Sequence, residues 1–224
     1  MMKNSRNNLE DQDPKCQAAY EGRVIVNLQM SNLFVALQNV TINNKVEDRW
    51  VISGWDKFMK DATGAMHDFQ AAIKLNTSYS LAYFNAANIY FKNKQFKQAL
   101  SYYDQAIQFN TRDESALANR AITKAVIKDF SGAFSDFAQA LLISPKSAYI
   151  YFNRGNLHFT KGDWKKAEEN YSQALTLQPD NSLMHKRRSD ALGKLGQKEK
   201  AVQDYQYAIQ LQARIRFLKS INTR

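Results

Sequence analysis

The sequence predicts an all-α protein, a solenoid of antiparallel helix pairs, and three observations carry that prediction. The stretch YFNAANIYF beginning at Tyr83 returns as YFNRGNLHF beginning at Tyr151, with Tyr, Phe, Asn, Asn and Phe at the same offsets. Halving that interval, to a step of 34, finds a middle copy, LANRAITKA at Leu117, whose Asn119 and Arg120 stay in step. Glycine and proline are few for an all-β chain, 8 and 3 among 224 residues, while 44% of the residues are apolar and can build a core.

Following other residues in the same step gives whole columns. Ala65, Ala99, Ala133, Ala167 and Ala201 form one, and Ala72, Ala106, Ala140, Ala174 and Ala208 a second. Phe69, Tyr103, Phe137, Tyr171 and Tyr205 form an aromatic column; Leu75, Phe109, Ile143, Leu177 and Leu211 form a large apolar one. Ala87, Ala121, Gly155 and Ser189 are always small, as close backbone approach requires.

Taken in chain order, residues 1–14 are polar and read as a disordered start. Residues 15–61 read as a degenerate or interrupted first repeat with an insertion near 33–61. The insertion holds Trp50 and Trp55, which serve either as packing for the first regular repeat or as a partner anchor. Residues 62–212 form the regular array, with units ending near 79, 113, 147, 181 and 212. In AEENYSQALTL, Ala167, Tyr171, Ala174 and Leu177 fall at i, i+4, i+7 and i+10, the stripe of an amphipathic helix. In the preceding YIYFNRGNLHF, Tyr151, Gly155 and His158 make a second stripe. KGDW between them supplies a turn and a helix start, and Pro145 and Pro179 stop the second helices. Neither helix can bury its face alone, so units must stack. Ala213 stands where a proline is expected, so 213–224 is predicted to continue as a capping helix with Ile215, Leu218 and Ile221 over the last repeat, followed by a basic tail.

This pattern resembles the tetratricopeptide repeat family. The resemblance covers roughly two-thirds of the chain, from 62 to 211. It implies a right-handed superhelical solenoid whose first helices line a concave groove, and a non-enzymatic adaptor or scaffold that binds extended peptide segments of partner proteins there. Because Tyr151, Gly155 and His158 face the partner helix, the groove is expected to hold Phe152, Asn153, Asn156 and Phe159. By the same step it holds Phe84, Asn85, Asn88 and Phe91, with Asn119 between. Asn85, Asn119 and Asn153 make a ladder of one amide per repeat. A side-chain amide both donates and accepts, so such a row can grip a peptide backbone whatever its side chains. The family members that bind acidic chaperone tails add cations. Here Asn88 and Asn119 match the amides, but Phe84, Tyr149 and Asn153 stand where the cations belong, so chaperone tails are not expected partners.

The net charge of +10 is unevenly spread. From Ser182 onward ten Lys and Arg face three acids, and Arg187 and Asp190 replace the groove amides, flanked by Lys186, Arg188 and Lys194. One end of the groove is therefore expected to be cationic. The alternative is a nucleic-acid or acidic-surface binder working through that basic end. Phosphate binding would need cations along a whole face with stacking aromatics, and the middle repeats have few.

His67, His158 and His185 sit at three different repeat positions and are expected to fill core or half-buried space. Cys16 has no companion for a metal, and no phosphate loop, catalytic carboxylate pair or nucleophile elbow appears. No enzyme, cofactor or metal site is expected. A single cysteine and a start without an apolar signal core suit a cytoplasmic protein, with no membrane partner. The units also resemble a vertebrate member of the family, which brings a ciliary association into view by analogy.

Overall fold

The repeat step sets helix boundaries to the residue. The computed structural model describes residues 62–222, and among these there are nine α-helices and no strand. The first-type helices are α2 (Ser80–Lys92), α4 (Glu114–Val126), α6 (Ala148–Thr160) and α8 (Ser182–Lys194), each starting one full period after the last. The second-type helices keep the same step: α1 (Ala62–Leu75), α3 (Phe96–Phe109), α5 (Phe130–Ile143), α7 (Trp164–Leu177) and α9 (Lys198–Asn222). The degenerate repeat assigned to 15–61, with Trp50 and Trp55, lies outside the described residues.

Local chemistry fixes the ends. Asp113, Ser147 and Asn181 each accept a hydrogen bond from a backbone N–H three residues on, capping α4, α6 and α8. The turns after α2, α4, α6 and α8 are built alike. Lys94, Lys128, Gly162 and Gly196 all take positive φ, at 60°, 69°, 82° and 76°. The next residue's N–H then reaches back five positions, as Gln95 does to the Tyr90 carbonyl at 2.8 Å and Asp163 to that of His158 at 2.9 Å. That is the Schellman ending, which needs a left-handed residue.

The chain divides after Thr123, inside α4, into two compact units. In the first, α2 packs between α1 and α3, and Ala65, Phe69, Ala72, Ala82, Ala86 and Ile89 are buried together. In the second, α6 pairs with α7 and α8 with α9, with α8 also against α7. Both alanine columns are buried throughout, as is the aromatic column except Tyr205. The large apolar column behaves differently: Leu75, Phe109 and Leu177 are exposed, because the second helices end there, at the margin of the packed face.

The prolonged α9 has no break at Ala213. Ile215 is 46% exposed, so it does not cover the last repeat as expected, because a straight continuation carries it past the repeat it was to cap.

Candidate functional site: the asparagine face of the first helices

The repeated asparagines divide into distinct roles. Asn88 and Asn156 were expected to point away from the second helix of their repeat, and both reach it. Tyr103 donates to Asn88 Oδ1 at 2.6 Å, and two repeats on Tyr171 donates to Asn156 Oδ1 at 2.8 Å. The tyrosines are buried and their hydroxyls need an acceptor, which draws the amide inward. Burial pushes the Tyr171 pKa above its ordinary value. Asn119 Nδ2 donates to the same Asn88 Oδ1 at 2.9 Å, so that oxygen serves two donors within the first unit.

Phe84 and Asn85 are each 1% exposed, so in the first unit the expected groove pair is closed rather than open. Helix α2 is buried from Ala82 to Ala87, on every side. Both amide atoms of Asn85, and Nδ2 of Asn88, are shielded and without a hydrogen-bond partner among the described residues. The equivalent Phe152 and Asn153 in the second unit stay half-buried. There Asn153 Nδ2 donates to the Tyr149 carbonyl of its own helix at 2.8 Å, leaving Oδ1 without a partner among the described residues. Asn156 is engaged through Oδ1, leaving Nδ2 in the same position.

The aromatic neighbours are committed to packing as well. Phe91 lies edge-on to Phe96 at 5.7 Å, and Phe159 leans on the cluster of Ala167, Tyr171 and Ala191. Phe152 stands 5.8 Å from the Tyr171 ring.

The cationic end also splits, between adjacent arginines. Arg187 is half exposed with a loose 3.7 Å contact to half-buried Asp190, and Lys186 is exposed. Arg188 turns inward and grips Asp204 on α9 through Nε at 2.6 Å and Nη2 at 2.7 Å. That hydrogen bond raises the Arg188 pKa against the opposing effect of burial. Asp204 feels burial pushing its pKa up, but the bonds from Arg188 and His185 outweigh it and hold the carboxyl below its ordinary value. The same geometry one repeat earlier joins Arg154 Nε to Asn170 Oδ1 at 2.7 Å. With a neutral partner there, burial pulls the Arg154 pKa down. Arg154 and Arg188 are thus structural, each sixteen residues before a polar partner on the next helix, whereas Arg120 of the same column bonds Asp104 on the preceding helix at 2.8 Å.

The histidines follow no common plan. His185 is buried, with Nδ1 3.0 Å from Asp204 and Nε2 2.8 Å from the Pro179 carbonyl, and His158 is half-buried. His67, expected as filler, is exposed with 75% of its side chain in solvent, because its column faces out of α1.

No described helix is long and apolar enough to cross a membrane. Models of the tetratricopeptide repeat match residues 80–112 and 148–181, and a second model of that repeat matches 187–214. Human tetratricopeptide repeat protein 6 is 47% identical over 102 residues, which cover 42% of this chain and 19% of that protein. The chain therefore spans about a fifth of that curated relative. Among solved structures, the pilF protein of Pseudomonas aeruginosa is similar with a TM-score of 0.68 and 19% identity, over 73% of this chain and 75% of that one. MamA of Desulfovibrio magneticus is similar with a TM-score of 0.65 and 11% identity, over 75% and 95%. At such identities the likeness concerns the fold. The unmatched stretch between the first two matches, α4 and α5, keeps the helix lengths and spacing of its neighbours. By period and helix pairing the described residues form all-α repeats of paired helices, and the matched segments among them, 80–112, 148–181 and 187–214, are tetratricopeptide repeats.

Proposed function

We propose that this chain is a non-catalytic protein–protein interaction scaffold that grips an extended peptide segment on the α6–α8 face of its second unit. The observation that carries the reading is the pair of half-used amides. Asn153 offers a free acceptor and Asn156 a free donor, one helical turn apart on a half-buried face. Side chains at i and i+3 are neighbours, about 5–6 Å apart at Cβ. One acceptor beside one donor is the complement of a single peptide residue's N–H and C=O. Phe152 gives that segment apolar surface, and Lys186 and Arg187 favour an acidic residue further along. In the first unit Phe84 and Asn85 are shut off, so the three-asparagine ladder narrows to this one grip. We place the scaffold in the cytoplasm on its single cysteine.

Selection of random unstructured peptides against the immobilised chain tests this. Recovered peptides should carry acidic residues beside apolar ones, and Asn153→Ala should weaken them about 2- to 10-fold, the worth of one hydrogen bond. Circular dichroism serves as the folding control. Peptides held equally by Asn153→Ala and by Arg187→Ala would sink the reading.

The alternative, nucleic acid at the basic end, loses ground because Arg188 is spent on Asp204 inside the repeat. Binding to random single strands that falls steeply with salt would favour it instead.

A further inference from the structure

Two columns of the first-type helices lose their cover step by step along the chain. Phe84 and Ala118 are 1% and 0% exposed, Phe152 is half-buried and Lys186 is exposed. Beside them Asn85 is 1% exposed, Asn119 and Asn153 are half-buried, and Arg187 is exposed. Helix α2 has α1 and α3 packed on it, and Ala116 of α4 joins the cluster of Phe84. Helix α6 has the corresponding neighbours, α5, α7 and α8, and they leave Phe152 and Asn153 half open. Those three neighbours do not account for the closure at α2, which the single chain achieves by itself. Asn85 adds a chemical clue. Both of its amide atoms are enclosed and lack a partner among the described residues, although buried polar groups are as a rule paired.

The rest of the chain joins the first unit at Ala62, the start of α1, which packs directly on α2. Residues 1–61, outside the described range, contain a run without a single charge, from Val24 to Asn44. The side chains at the closed face, Phe84, Asn85, Asn88 and Asn119, are uncharged as well. A charged occupant would lose its water there without gaining a counter-ion from them. The uncharged run instead brings apolar groups such as Leu33, Phe34 and Leu37 to Phe84. It also brings neutral donors and acceptors, such as Asn32 and Gln38, to the Asn85 amide. Residues 45–61 supply the link, which spans about 56 Å when fully extended, while packed helices lie about 8–10 Å apart. We infer that the stretch from Val24 to Asn44 of this same chain lies on the Phe84–Asn85 face of α2, a tethered occupant that closes it. An incoming peptide then finds the second unit open and must displace the chain's own run to reach Asn85. The α6–α8 grip proposed above stands or falls separately.

The test uses the full chain with p-benzoylphenylalanine in place of Phe84 and maps its photo-adducts by mass spectrometry. Adducts within Val24–Asn44 of the same chain are expected. Adducts confined to 62–222, to 1–23 or to 45–61, or formed between two chains, overturn the proposal. Phe91, half-buried on the same helix, carries the label instead if circular dichroism shows that the first substitution costs helicity. A thiol readout follows displacement directly. With Cys16→Ser as background, Asn85→Cys should react slowly with a soluble thiol reagent. Adding Phe34→Asp and Leu37→Asp should speed that reaction tenfold or more, while Asn153→Cys should react at one rate with or without them. An unchanged rate at Asn85→Cys, or an equal rise at Asn153→Cys, overturns the proposal.

Discussion

The Tyr171 hydroxyl donates to Asn156 Oδ1 at 2.8 Å, joining α7 to α6, and Tyr103 makes the same bond to Asn88. In the repeat between them the two positions hold Phe137 and Ile122, so hydroxyl and amide vanish together. Across these three repeats each polar group is present only where the other is.

That pairing predicts a non-additive cycle. Tyr171→Phe leaves Asn156 short of its donor and should cost about 1 kcal/mol, while Asn156→Ile leaves a buried hydroxyl unpaired and should cost about 1–3 kcal/mol. The double variant, which copies the middle repeat, should lie well below the sum of the two. Chemical denaturation of the four proteins measures the coupling. A strictly additive result would mean that the bond contributes nothing.

The four left-handed turns give a prediction free of packing. Lys94 and Lys128 adopt positive φ, a conformation that costs an L-residue about 1–2 kcal/mol. Lys94→Gly and Lys128→Gly relieve this but loosen the unfolded chain, so each should gain about 0.5–1 kcal/mol. In the reverse direction, Gly162→Ala and Gly196→Ala should lose about 1 kcal/mol, although a Cβ at either meets nothing within 4 Å. Thermal melts should move in opposite senses for the two sets, by a few degrees each.

Gly155 is small for a different reason. A Cβ built there lies 2.7 Å from Tyr171 Cε1 and 3.3 Å from Asn170 Cβ. Gly155→Leu should push α6 from α7 and cost about 1–3 kcal/mol by overpacking. An unchanged melting temperature would contradict this helix pairing.

Adjacent arginines should behave oppositely. Arg188→Met strands the Asp204 carboxylate and should cost about 2–3 kcal/mol, while Arg187→Met should stay within about 0.5 kcal/mol. The Asp204 pair also carries a pH signature. Its folded pKa lies below the unfolded value of about 3.9, so its contribution is fully present above that value and is lost as pH falls through the folded pKa. Acid titration should therefore destabilise wild type more steeply below about pH 4 than Asp204→Asn.

The amino-acid sequence by itself determined the period, the helix pairs and their ends. These rest on local physics: apolar spacing within a helix, capping side chains such as Asp113 and Asn181, and turns that tolerate a left-handed residue. The small columns also announced where helices touch. The reciprocal exchange of Asn with Ile and Tyr with Phe was legible too, as a sign that Asn88 and Asn156 are each tied to a tyrosine of the next helix. What only the tertiary structure decided is which copy of a repeated side chain is free. Asn85 and Asn153 occupy the same repeat position, yet one is enclosed and the other half open. Arg187 and Arg188 adjoin in sequence, yet one meets solvent and the other a buried carboxylate sixteen residues on. Tyr171 and Tyr205 have the same place in their helices and differ only in whether another helix lies over them. A repeat fixes the direction of a side chain through its own backbone, but burial and pairing come from neighbouring elements, which the period does not encode.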